Sequence, residues 1–136
     1  MKIPLTIPYF RLALGLTLAY GFLWMALEGE LWRDLVLAAA VTLLVAGYAM
    51  TRFPGGRTLS VRRFVIVAVA AGLIAGVALS LITLFLMALK MGIHAHGPEY
   101  ATREIVWVWQ QLPLWSIVGG LVGLGLGLLV AGKRAI

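Results

Sequence analysis

The chain contains no cysteine, two histidines and only five acidic residues among 136. The missing cysteines exclude disulfides, thiolate nucleophiles and cysteine-ligated iron–sulfur clusters, while leaving the redox state of the compartment open. Charge of either sign is scarce: 12% of residues are charged against 62% apolar, a balance far from that of a soluble domain and typical of a polytopic membrane protein. What is there is long and apolar. From Phe64 to Leu89, between Arg63 and Lys90, no residue carries a charge. As a helix this run measures about 39 Å against a hydrocarbon core of about 30 Å, so it is expected to tilt or to protrude from one surface.

The remaining length leaves room for four spans of about twenty residues and no extramembrane domain. The expected fold is all-α: one transmembrane domain in the form of a four-transmembrane-helix bundle, with spans near 9–27, 35–51, 64–89 and 114–132. Ser60 is placed to cap the third helix, and Pro54 with Gly55 and Gly56 signals a turn before it. Gly97 and Pro98 are expected to break the chain after the third span. Thr102 would then cap a short helix over 103–112, with Ile105, Val108, Trp109 and Leu112 at amphipathic spacing. Trp107, Trp109 and Trp115 make that segment an interfacial helix lying along the membrane with aromatic anchors. Pro113 is expected to separate it from the last span.

The net charge of +6 does not indicate nucleic acid, because the basic residues sit at span ends, where they determine topology. The N-terminal region, middle loop and C-terminus hold Lys2, Arg11, Arg52, Arg57, Arg62, Arg63, Lys133 and Arg134 and no acid. The other two connections hold Arg33, Lys90 and Arg103 with all five acids, Glu28, Glu30, Asp34, Glu99 and Glu104. Both termini are therefore expected in the cytoplasm, the membrane being a prokaryotic inner membrane.

Three features bear on function. Small residues wind along the third span at Ala68, Gly72, Gly76, Ser80 and Thr83, and along the fourth at Ser116, Gly119, Gly120, Gly123, Gly127 and Ala131. Such stripes let helix backbones approach closely in lipid, so these two spans pack either on each other or on a partner subunit. Gly125 and Gly132 lie off that face. His94, His96 and Glu99 form a second candidate, an external polar site beyond the third span. Imidazole ligates metal or haem iron, but residues two apart on a helix diverge by about 200°, and no metal or other cofactor is expected; ordinary interfacial polarity or a pH-responsive loop are the competing interpretations. Third, apart from Arg11 at the start of the first, no Asp, Glu, Lys, Arg, His, Asn or Gln lies between the ends of the expected spans, which argues against proton-coupled transport. With no nucleophile or substrate pocket marked, an enzyme is not expected. The expectation is a small non-catalytic membrane subunit of a respiratory, photosynthetic or transport assembly, its partners being lipids and other membrane subunits or further copies of itself. A homo-oligomeric channel or carrier, and a metal- or haem-binding protein using His94 and His96, are the alternatives.

Overall fold

The computed structural model describes residues 6–52, 58–94 and 99–132, and these are helical with short connections. Four helices follow one another: α1 (Phe10–Ala26), α2 (Leu31–Arg52), α3 (Val61–Ile93) and α4 (Thr102–Gly132). The last three are each long and apolar enough to cross a membrane; α1 is apolar but shorter, with 17 residues. At 1.5 Å per residue the 33-residue α3 and 31-residue α4 extend about 50 and 46 Å, well beyond a hydrocarbon core of about 30 Å.

Packing proceeds in chain order, α1 on α2, α2 on α3 and α3 on α4, with the last pair by far the most extensive. No comparable packing joins α1 to α4, so the described helices are arranged as an open row. A row suffices in lipid because apolar side chains on the outer faces need no protein cover.

The α3–α4 seam is made by glycine. A Cβ on Gly72 would lie 2.0 Å from the Gly119 carbonyl oxygen, one on Gly76 2.1 Å from that of Trp115, and one on Gly123 2.2 Å from that of Ala68. Gly127 sits against Val65, where a Cβ would come within 3.3 Å of its Cα. Backbone thus meets backbone over about three helical turns, and Ser116 Oγ crosses the seam to donate to the Leu73 carbonyl at 3.2 Å. These glycines meet one another's helices within the chain's own hairpin. Ser80 is fully buried on α3, its hydroxyl without a hydrogen-bond partner among the described residues. Gly15, Gly21, Gly92, Gly125 and Gly132 instead face open space.

Several boundaries differ from expectation. The segment 103–112 is no separate interfacial helix: it forms the first turns of α4, which continues through Pro113. Pro113 removes the bond its missing N–H would make to Trp109, but packing holds the helix on both sides, through Ile105 and Val108 before it and Trp115 after it, in a cluster with Met87 and Tyr100. The cap of α4 is built on Ala101, whose N–H donates to Glu104 Oε2 at 2.7 Å in the return half of a capping box; Thr102 is the first helical residue. Ser60 does cap α3, accepting from the Arg63 N–H at 3.4 Å. Helix α2 starts at Leu31, four residues before the expected span, and α3 runs on to Ile93. Asp34 and Lys90 are thereby helical, and both are completely buried. Gly97, Pro98 and the Pro54–Gly55–Gly56 turn lie outside the described residues.

Candidate functional site: a buried polar cluster at the acidic end

The five acids all lie at one end of the row, where the α1–α2 turn meets the α3–α4 connection. Here the buried side chains of Asp34 and Lys90 are brought together by Trp24, in the penultimate position but one of α1 and itself 3% exposed. The indole Nε1 donates to Asp34 Oδ1 at 2.6 Å. Lys90 Nζ donates to the Trp24 carbonyl and approaches that of Met25 at 3.5 Å, and it stands 4.5 Å from the centroid of the Trp24 ring. Trp24 therefore mediates between ammonium and carboxylate, by its carbonyl and ring face on one side and its N–H on the other.

Helix ends explain the choice of charges. The last carbonyls of α1 have no partners within their own helix and carry the negative end of its dipole, so an ammonium there both satisfies and neutralises them. Lys90, in the last turn of α3, is favoured by that helix's C-terminus as well; Asp34, in the first turn of α2, is favoured by the positive end of its own. Below the polar layer, Trp24 packs with Leu37, Ala38 and Leu86, so α1, α2 and α3 share one apolar cluster at this level. Tyr20 reinforces the α1–α2 contact by donating to the Arg33 carbonyl at 3.4 Å.

The α3–α4 connection closes over this layer. Tyr100 is 4% exposed, with its hydroxyl beside Asp34 but outside hydrogen-bond geometry. Burial, then the Asp34 carboxylate, then Glu99 and Glu104, push the Tyr100 phenol well above its ordinary range, so it stays protonated. Gly29 in the α1–α2 turn lies directly against it: a Cβ there would come within 2.2 Å of Glu99 Oε2 and 2.9 Å of the Tyr100 hydroxyl. Asp34 Oδ2, Glu99 Oε2 and the Tyr100 hydroxyl are buried with no hydrogen-bond partner among the described residues. Unpaired buried oxygens of this kind are costly unless a proton, a cation or water meets them.

Of the residues singled out from the sequence, His94 and Glu99 are brought together, Nδ1 lying 2.8 Å from Oε1. His96 lies outside the described residues. Among the described residues no three His, Cys, Asp or Glu side chains converge as metal ligands would. Trp107 and Trp115 meet edge to face, with centroids 5.9 Å apart, and Trp115 also joins the α3–α4 cluster; Trp107 and Trp109 are exposed. Sequence reasoning missed Trp24, Asp34, Lys90 and Tyr100, because charge at the edge of an apolar run reads as loop and an aromatic there as an interfacial residue. A signal existed: Lys90 continues the stripe Gly76, Ser80, Thr83, Met87 at alternating steps of four and three, all of them buried.

No protein-family model, curated protein or solved structure matches the chain.

Proposed function

We propose that this chain is a non-catalytic integral membrane subunit whose four helices all cross a prokaryotic inner membrane with both termini cytoplasmic. The charge distribution supports the orientation: among the described residues Arg11, Arg52, Arg62 and Arg63 stand at one end without an acid, and all the acids at the other. The observation that carries the reading is that Asp34 and Lys90, both buried, are used to join helices through Trp24, in a row whose α1 and α4 faces are left to lipid or to a partner. The α3–α4 hairpin is locked from within, while α1 keeps Leu12, Leu16 and Phe22 uncovered and α4 keeps Leu121, Val122 and Leu129 uncovered. The buried charges are engaged in joining helices, as expected of a framework piece.

The open glycines provide the test. Gly21→Leu and Gly125→Leu place bulk where the chain has nothing within 4 Å, so release of a co-purifying membrane polypeptide by either, with the isolated fold unchanged, reports an external contact. Recovery of a lone monomer from native membranes extracted without detergent would overturn the proposal.

One observation favours a second reading, a homo-oligomeric proton-coupled carrier. The sequence argument against coupling was the lack of an ionisable group in the spans, and Asp34 is a fully buried carboxylate in the first turn of α2. Proton flux into liposomes holding this chain alone, abolished by Asp34→Asn, would select this reading over the first.

A further inference from the structure

At the opposite, basic end, the start of α1 and the end of α2 enclose a groove of about 540 Å³, within the ~300–1,000 Å³ of small-ligand clefts. Ile7 forms its closed side by lying against Gly47, where a Cβ would come within 2.7 Å of Ile7 Cδ1. Phe10 adds a second apolar wall, and the polar rim consists of Thr6, Tyr9, Arg11, Tyr48 and Thr51. Thr51 donates to the Tyr48 carbonyl at 2.9 Å, so its oxygen is left to accept. Arg11 makes no ion pair among the described residues, and no acid lies at this end of the chain to provide one.

We propose that this groove binds one anionic phospholipid, its phosphate on the Arg11 guanidinium and the Tyr48 hydroxyl and its glycerol and first methylenes against Ile7 and Phe10. The chemistry of the lining selects that occupant. A guanidinium offers paired N–H groups that match a phosphate, and phenols at a helix end sit at the level of lipid headgroups. An apolar wall joined to a cationic rim suits a molecule with a charged head and a hydrocarbon body better than a free anion. The uncovered α1–α2 surface leaves the groove accessible from the side. The proposal is independent of whether the chain works within a larger assembly.

The test is native mass spectrometry and fluorescence titration of the full chain, with dioleoylphosphatidylglycerol, dioleoylphosphatidylcholine and inorganic phosphate as probes. Phosphatidylglycerol is expected to bind stoichiometrically and phosphatidylcholine not to. Arg11→Gln should weaken phosphatidylglycerol about tenfold, the loss of one charge-assisted contact, and Tyr48→Phe by less. Arg52→Gln removes the same charge from the same end outside the groove lining and should change affinity less than about twofold. Arg11 is exposed, so its substitution leaves the fold intact. Equal losses at Arg11 and Arg52 would reduce the effect to general surface attraction and overturn the site. Competition by inorganic phosphate would assign the groove to a free anion and overturn the lipid.

Discussion

Adding one methyl group to Gly76 should be among the most damaging single changes available to this chain. The new Cβ would lie 2.1 Å from the Trp115 carbonyl oxygen, 2.5 Å from its carbon and 2.6 Å from Ser116 Cα, all backbone atoms that no rotamer can move aside. Reaching ordinary contact near 3.4 Å requires α3 and α4 to part by more than an ångström at that level. A gap of ~0.5–1 Å forfeits a quarter to a half of each dispersion well. If the seam holds about 40–60 heavy-atom pairs at ~0.1–0.2 kcal/mol each, the loss is about 1–6 kcal/mol, centred near 3. Lipid supplies no hydrophobic compensation, since acyl chains are as apolar as the side chains they meet. The matched control is Gly125→Ala, on the partner helix α4 with nothing within 4 Å, where improved helix propensity alone acts and is worth up to about 1 kcal/mol in the stabilising direction. Unfolding of both variants in mixed micelles, followed by helix content and by a distance label across the seam, separates them. If Gly76→Ala and Gly125→Ala unfold within about 0.5 kcal/mol of each other, the close-contact account of the hairpin is wrong, since surface changes normally fall inside that margin.

Lys90→Met should destabilise the α1 docking by about 3–5 kcal/mol, because it leaves buried Asp34 without its counter-charge and takes the ammonium from the Trp24 and Met25 carbonyls, that of Trp24 keeping only the Leu27 N–H. Combined with Asp34→Leu it should cost clearly less than the sum of the single changes, and strict additivity in a double-mutant cycle would refute the coupling through Trp24. The Tyr100 phenol, raised in the folded state above its ordinary 10.0, contributes stability that is complete below pH 10 and declines as pH rises beyond it, because the unfolded chain releases that proton first. The alkaline slope in wild type should therefore exceed that of Tyr100→Phe by up to about 1.4 kcal/mol per pH unit; identical slopes would show the phenol to be exposed.

Periodicity and composition made the helices legible, and the glycine stripes made one interface legible, because both depend on residues close in sequence. Gly72, Gly76, Gly119 and Gly123 identify themselves as contact residues, but whether they meet each other or another chain depends on a tertiary pairing that spacing does not contain. Pro113 misled for a related reason. Its local cost is real, yet Ile105, Val108 and Trp115 bind the helix on either side to α3, so packing outweighs one missing hydrogen bond. The polar cluster was least legible. Asp34 and Lys90 lie at the ends of apolar runs, where charge ordinarily means solvent, and only the return of α1 beside α3 places the Trp24 carbonyl where Lys90 can reach it.

These two kinds of contact divide the molecule by function as well as by chemistry. The α3–α4 hairpin is held by backbone proximity that carries no titratable group along its glycine seam, and so it is indifferent to pH and to the charge of the surrounding lipid. Helix α1 is different: Trp24 is its one buried residue, and Lys90 and Asp34 hold that residue at the acidic end while Ile7 rests on Gly47 at the other. Between these points most of the large side chains of α1 are uncovered. Polar bonds to a helix end gain strength as water is excluded and lose it as water enters, whereas dispersion along the seam does not depend on hydration in that way. Any signal that hydrates the acidic end, whether protonation of a carboxylate or withdrawal of the Glu99–Tyr100 connection from Gly29, therefore acts on the position of α1 first and leaves the hairpin standing.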